Sequence, residues 1–399
     1  MKSFISLVGL FLFVCEIPKA QTQQFITPIQ GEYLKDFYLV NYVDWADSSI
    51  LDHNCGKKTY DGHQGTDFVI RNFKQMDDGV NIVAAEEGIV TYVVDSLFDR
   101  SKTAVSGGFG NYICIKHPSK YYTYYAHLKK NSAVVKVGDT VKAGDIIGQV
   151  GSSGYTSDPH LHFEVWYDSL YLVDPFQGNC GNPTTLWLDP LQYVHEFGII
   201  DHDLSNFIPT LDTLKERLPS QKLFTTNDQV INYWIQGYGV FLGDSSKIKW
   251  YTPENTLWSE FDFKHTEELW YYYFWNYIDV PPLSEAGQWT VKYLVNNVEK
   301  SVDTFYVHNT TQTIDKLSDQ IDYRIFQDAS KNLNIQLSTA CSQNEKFTLF
   351  DISGIQVFTD VFPSYETKHS VKYNTLYHAG FYVLKFENSQ YPVKKIWIK

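Results

Sequence analysis

Beyond its first twenty residues the 399-residue chain has no apolar run long enough to cross a bilayer, which excludes a spanning helix from its body. Basic residues are in the minority, with 33 Lys and Arg against 46 Asp and Glu and a formal charge of −13. An acidic chain has no electrostatic footprint for nucleic acid and is repelled by anionic lipid. Cysteine is scarce, at five residues, and too widely spaced for a zinc ribbon. No long segment has a helical period, and no internal repeat points to a propeller or solenoid. What is abundant is aromatic: 29 Tyr, 26 Phe and 10 Trp, 16% of the chain. Flat rings suit a pleated, half-buried surface. Gly, Asn, Asp and Pro clusters punctuate the sequence at short intervals, so the expected fold class is all-β.

The first segment reads as a cleaved signal peptide over residues 1–20. Lys2 is followed by an apolar stretch from Phe4 to Cys15, and Pro18-Lys19-Ala20 ends in a small residue. A lipoprotein reading at Cys15 is disfavoured by bulky Phe13 and Val14 before it. Cleavage removes Lys2, Glu16 and Lys19 and leaves a charge of −14. Four cysteines remain. Cys55 and Cys180 lie in Gly/Asn-rich loops, NCGKK and GNCGN, and are the expected disulfide pair in an exported protein. Cys114, alternating with Tyr112 and Lys116, reads as a buried thiol.

Three β units follow. Residues 25–205 hold strand-like EGIVTYVVD, GNYICIKH and KYYTYYAHL, then short strands broken by Gly138, Gly144 and Gly148. Residues 206–310 read as an Ig-like sandwich from QVINYWIQGYGVFL, IKWYTP, HTEELWYYYFWNYIDV and GQWTVKYLVNN. A polar stretch around 308–318 reads as a linker, and residues 322–399 as a small C-terminal sandwich.

Chemistry concentrates in the first unit. DGHQGTDFVI carries His63 and Asp67, YYAHL carries His127, and PHLHFEVW carries His160 and His162. Strand side chains alternate, so His160 and His162 share one face while Leu161 and Phe163 take the other. His63 and Asp67 share a face if extended, or meet through a turn at Gly65. Two imidazoles and a carboxylate fill three positions around zinc and leave a fourth for water. The net charge of about +1 lowers the water's pKa and stabilises a developing oxyanion. Two more histidines can take the water's proton and hydrogen-bond the tetrahedral intermediate. Each residue alone is weak evidence; the combination in this order is not.

At these residues, through HQGTD, GNYICIKH, YAHL, VGDTVKAGDIIGQVGSSG and PHLHFEV, the chain resembles the lysostaphin-like (LytM-type) zinc metallopeptidases over about residues 55–180. The resemblance implies a compact antiparallel β fold with a narrow groove, one Zn2+ held by His63, Asp67 and His162, and His127 and His160 as catalytic histidines. It implies peptidoglycan peptides as substrate. Asp158, before Pro159, departs from the family's usual small residue. The last unit, through FTLFDISGIQVF, HAGFYVLKF and KKIWIK, resembles the C-terminal sorting domain of the type IX secretion pathway of Bacteroidota. That implies the secretion machinery as a partner and a secreted or cell-surface location. His369 and His378 in this unit read as surface histidines. A monomer is expected, with no nucleic-acid partner.

Three functions from different classes are compatible with these motifs. The leading one is a zinc metalloendopeptidase of peptidoglycan. A non-catalytic cell-wall-binding or hydrolase-activating protein of the same fold is the alternative, and such relatives usually lack some of the five residues. VKVGDTVKAGDIIGQVG also suits a biotinyl or lipoyl carrier hairpin, but Asp139 and Asp145 stand where a modified Lys is needed.

Overall fold

A computed structural model describes residues 24–104, 106–217, 219–225, 228–281, 286–308, 323–327, 332–337, 344–351, 356–371, 380–387 and 394–398. The leader expected at 1–20, nearly all of the expected linker, Cys341 and His378 lie outside these residues. The chain divides into two compact units, Met1–Asn309 and Thr310–Lys399.

The first unit opens with ten strands: β1 (Phe37–Asn41), β2 (Thr66–Ile70), β3 (Asn81–Val83), β4 (Gly88–Val94), β5 (Tyr112–Lys116), β6 (Tyr121–Ala126), β7 (Thr140–Val141), β8 (Ile146–Gln149), β9 (His160–Tyr167) and β10 (Tyr171–Val173). One antiparallel sheet runs in the order β1-β2-β9-β6-β5-β4-β7, with β10 also on β9, while β3 pairs β8. Among the described residues helix is confined here to one short turn, α1 (Phe73–Asp78), capped by the Asn72 side chain.

Central strand β9 shows why the sheet forms where it does. Leu161, Phe163 and Val165 are at most 1% exposed and enter a core with Phe68, Ile113, Ile115, Tyr125, Phe25 and Trp187. Each such apolar side chain contributes about 1.5–3 kcal/mol on burial. Alternation then forces His160, His162 and Glu164 onto the opposite face. Register completes the placement: Asp67 of β2 is directly opposite His162, and Ala126 of β6 faces it from the other side.

Strands β11 (Gly198–Ser205), β12 (Leu223–Thr225), β13 (Val230–Tyr238), β14 (Ser245–Tyr251), β15 (Leu257–Lys264), β16 (Tyr272–Asp279), β17 (Gly287–Val295) and β18 (Val298–His308) build two further sheets. Their orders are β11-β13-β16 and β12-β18-β17-β14-β15. The two share a core of Ile231, Tyr233, Ile235, Trp250, Trp289, Val291 and Phe305. Residues Gly198–Ser205 precede the expected boundary at 205, yet pair along their length with β13. Between β11 and β12 stands helix α2 (Leu211–Lys215), begun by a capping box between Thr210 and Thr213.

The second unit has β19 (Tyr323–Gln327), β20 (Leu333–Leu337), β21 (Glu345–Asp351), β22 (Gln356–Phe362), β23 (Lys368–Val371), β24 (Gly380–Phe386) and β25 (Lys394–Ile398). They form sheets β19-β20-β23 and β22-β21-β24-β25 around Ile335, Leu337, Phe347, Leu349, Phe362 and Leu384. His369 is not a surface histidine. Its ring lies against Phe347 and Phe362, and its Nε2 is 2.9 Å from Asp360 Oδ2. The carboxylate comes from the other sheet, so no local spacing announced it.

Candidate metal centre

All five residues singled out from the sequence meet at one end of β9. His63 arrives from the turn ahead of β2 and is 2% exposed; Asp67 lies on β2, His127 just after β6, and His160 and His162 on β9. Gly65 makes the turn's approach possible: a Cβ there would fall 2.6 Å from His162 Cε1. His127 adopts φ 63°, a left-handed conformation that non-glycine residues seldom hold without a supporting structure. Its own backbone N–H donates to Phe109 O at 2.9 Å.

Each imidazole has one nitrogen committed outward. His63 Nδ1 donates to Tyr42 O at 2.7 Å, His127 Nδ1 to Ser153 O at 2.7 Å, and His160 Nδ1 to Asp158 O at 2.8 Å. His162 is reversed: its Nε2 donates to Glu164 Oε1 at 2.9 Å, and Nδ1 faces inward. These partners set the tautomers. Glu164 is in turn held by Trp166 Nε1 at 2.6 Å, and Asp67 Oδ2 accepts from Asn41 Nδ2 at 2.8 Å.

The inward atoms form a tight set. His63 Nε2 is 3.2 Å from Asp67 Oδ1 and 3.1 Å from His162 Nδ1, and the latter two are 2.9 Å apart. Three lone pairs at this spacing need a cation among them. Tetrahedral N and O ligands at about 2.0–2.1 Å from zinc lie roughly 3.3 Å from one another, so the donor set fits such an ion after small adjustments. Among the described residues a second set, His127, His160 and His162, also has its donor atoms within 4.8 Å of one another. It has no carboxylate.

The electrostatics separate the histidines into two kinds. Burial penalises the charged form of His162, but the Asp67 and Glu164 carboxylates outweigh it and push its pKa up to about 9. Burial likewise works against ionised Asp67, yet the His63 and His160 imidazoles and hydrogen bonds from His162 and His63 hold its carboxyl well below the usual range. The centre around Asp67 thus attracts positive charge. Burial depresses His127 well below the ordinary imidazole value, and His160 and His162 depress it further. Burial also lowers His160, with Asp67 opposing. Those two rings are neutral bases at neutral pH, each with Nε2 as its remaining nitrogen.

The centre opens into a cleft of about 790 Å³. Asp67, His127 and His160 line it together with Tyr60 and Tyr155 from the sheet's loops, and Leu242 and Trp270 from the following sheets. Glu164 and Asn41 were not among the residues expected from sequence. The signal for Glu164 was present in the alternation H-x-H-x-E of β9; Asn41 is brought in by pairing of β1 with β2, where it is the register partner of Asp67.

The disulfide expected between Cys55 and Cys180 is formed, with Cα atoms 5.1 Å apart, and Cys114 is a buried free thiol. Asp52 organises the first of these loops by accepting from the backbone N–H groups of Asn54, Gly56 and Lys58.

Residues 61–175 match the family described as Peptidase family M23. An uncharacterized metalloprotease of Buchnera aphidicola subsp. Baizongia pistaciae is 40% identical over 104 residues, covering 26% of this chain and 23% of that protein. The peptidoglycan DD-endopeptidase ShyC of Vibrio cholerae is 34% identical over 109 residues, covering 27% and 21%. Among solved structures, the catalytic domain of the antimicrobial peptidase lysostaphin from Staphylococcus simulans is 28% identical, covering 34% of this chain and 85% of that one, with a TM-score of 0.23. The chain spans less than a quarter of the length of these two curated relatives.

Proposed function

We propose that the Peptidase family M23 domain of residues 61–175 makes this chain a zinc metalloendopeptidase that hydrolyses peptide cross-links of bacterial peptidoglycan. The observation that carries this reading is the juxtaposition of two kinds of imidazole in one cleft. His63 and His162 turn lone pairs toward Asp67, and His127 and His160 remain neutral beside them. His63 Nε2, Asp67 Oδ1 and His162 Nδ1 would hold the zinc. When bound, the ion supplies Lewis acidity, polarising a carbonyl and acidifying water.

The chain's own groups do the rest. His127 and His160 have Nδ1–H tied to backbone carbonyls, so each can accept a proton only at Nε2. A ring that takes the nucleophile's proton there becomes a donor at the same atom, suited to hold an oxyanion or protonate the departing amine. Glu164 fixes the orientation of His162 and raises its basicity. The open cleft, with Tyr60, Tyr155 and Trp270 on its walls, suits an extended peptide better than an enclosed small molecule. The substrate class is supported by similarity to a peptidoglycan DD-endopeptidase.

In this reading residues 1–20 are a removed leader, 25–205 the peptidase domain, 206–310 an Ig-like domain and 322–399 a type IX sorting domain that takes the enzyme out of the cell. Purified protein incubated with muropeptides of defined cross-link type tests the activity. New amine termini should appear by mass spectrometry, vanish with a chelator and return with zinc. Binding of muropeptides without cleavage, at any metal loading, would instead identify the non-catalytic wall-binding protein.

A further inference from the structure

Asp158 stands where the resemblance led one to expect a small residue, and it lies in the loop leading into β9. Its backbone carbonyl accepts His160 Nδ1–H at 2.8 Å and the Thr156 hydroxyl at 2.9 Å. Its carboxylate has a partner from outside the sheet: Lys215, the last residue of α2. Lys215 is a charged residue only 4% exposed. Its Nζ is 3.1 Å from Asp158 Oδ2, 2.8 Å from Ser157 O and 3.1 Å from Lys102 O. An ammonium has three protons to donate, and here three oxygens surround it. Asp158 Oδ1 is buried and accepts no hydrogen bond among the described residues, so this carboxylate depends on Lys215 and the Ser157 hydroxyl. The next residue, Glu216, is paired with both Arg100 and Lys102, which fastens the end of α2 to the segment that supplies the Lys102 carbonyl.

We infer that Lys215 is a positioning residue for His160: α2 reaches across to clamp the loop of residues 156–159, and the clamped carbonyl of Asp158 fixes the ring whose Nε2 faces the cleft. The inference rests on the proposed role of His160 for its consequence in turnover, though not for its geometry. Both backbone acceptors of Lys215 flank the peptide that carries this carbonyl or its neighbouring loop. Without the clamp the Asp158 carbonyl keeps only the Thr156 hydroxyl as a second tether, and the Nδ1–H can leave it for Thr156 Oγ1, 3.2 Å away. The ring is then held less firmly with Nε2 toward Asp67, 3.5 Å away. Asp158 and Lys215 thereby explain each other: a buried cation at that point needs a carboxylate, and a small residue would leave it unmet.

The test uses the full mature chain, with histidine labelled by 15N. Among the described residues His63, His117, His127 and His160 each donate Nδ1–H to a backbone carbonyl, and these four signals, assigned by single substitutions, are expected to be slow to exchange. Lys215→Met should abolish the His160 signal and leave that of His127, with metal content unchanged. Turnover of muropeptides should fall in kcat by about 10–100-fold, the usual effect of losing a group that orients a functional histidine, while KM changes little. Lys215→Met leaves Asp158 as an unpaired buried carboxylate, which endangers folding. The double variant Lys215→Met with Asp158→Ala removes that charge, keeps the Asp158 position's carbonyl, and should show the same loss of signal. Retention of the His160 signal in the double variant overturns the inference. Absence of muropeptide cleavage by the wild-type protein, with the signal behaving as stated, would refute the enzymatic reading and leave the clamp standing.

Discussion

His162 stands apart from the other histidines of this centre in what its outward nitrogen touches: it leans on a carboxylate, whereas His63, His127 and His160 lean on neutral carbonyls. What separates His63 from His127 and His160 is its inward nitrogen, which faces both Asp67 Oδ1 and His162 Nδ1. Consequently His162→Ala should lose zinc by elemental analysis, whereas His127→Ala and His160→Ala should keep it and lose about 10²–10⁴ in rate. Equal zinc in His162→Ala and wild type would refute the ligand assignment. Glu164→Gln keeps the hydrogen bond but loses the charge, and zinc affinity measured against a competing chelator should drop by about 10–100-fold. Acid should act at the same point. With His162 pushed up to about 9, a proton and the metal compete for its Nδ1, so affinity should rise with pH toward about 9 and level off above it. Calorimetry at pH 7 in buffers of differing ionisation enthalpy should show release of about one proton; no dependence on buffer would contradict this competition. The five polar residues were legible because their types and spacings are unusual. Glu164 and Asn41 were not, since a carboxylate or amide on a strand is ordinary until register shows what it faces.

At the level of elements, β9 was legible because its apolar residues alternate, and β5 and β6 because β-branched and aromatic residues cluster between turns. Helix α2 left no such mark: five residues are too few to show a period. The clamp it delivers joins Lys215 to Asp158, 57 residues apart in sequence, and no pattern along the chain connects them. The partner of His369 escaped for the same reason. Two elements make predictions of their own. The disulfide closes a span of 125 residues, so replacing Cys55 and Cys180 together by Ser should lower stability by about 2–5 kcal/mol in denaturant unfolding. An unchanged midpoint would show that the loop at Asp52 holds without it. The turn before β2 is less forgiving. In Gly65→Ala the added methyl falls on the His162 ring, and zinc affinity should fall although the fold, followed by circular dichroism, survives.

For the molecule as a whole, the domain that matches Peptidase family M23 and the sheets that follow form one compact unit, and the cleft shows why this matters. Leu242, Leu269 and Trp270 on loops of the following sheets line it alongside His127 and His160. Trp270 also covers the buried Lys58, whose Nζ is 4.8 Å from the ring centroid. The second unit, Thr310–Lys399, has its own core and none of the five residues of the metal centre. If residues 322–399 direct export, deleting them should leave zinc-dependent cleavage in a lysate and trap it in the periplasm; activity reaching the medium would exclude the sorting role. The two β units within Met1–Asn309 cannot be traded so freely. A recombinant that joined this peptidase domain to a foreign partner would inherit Asp158 without the ammonium that answers it. One that gave the middle sheets to another peptidase would bury Lys215 against a loop lacking the carboxylate. Each half is therefore a poor donor in domain shuffling, and viable exchange needs both positions to travel together.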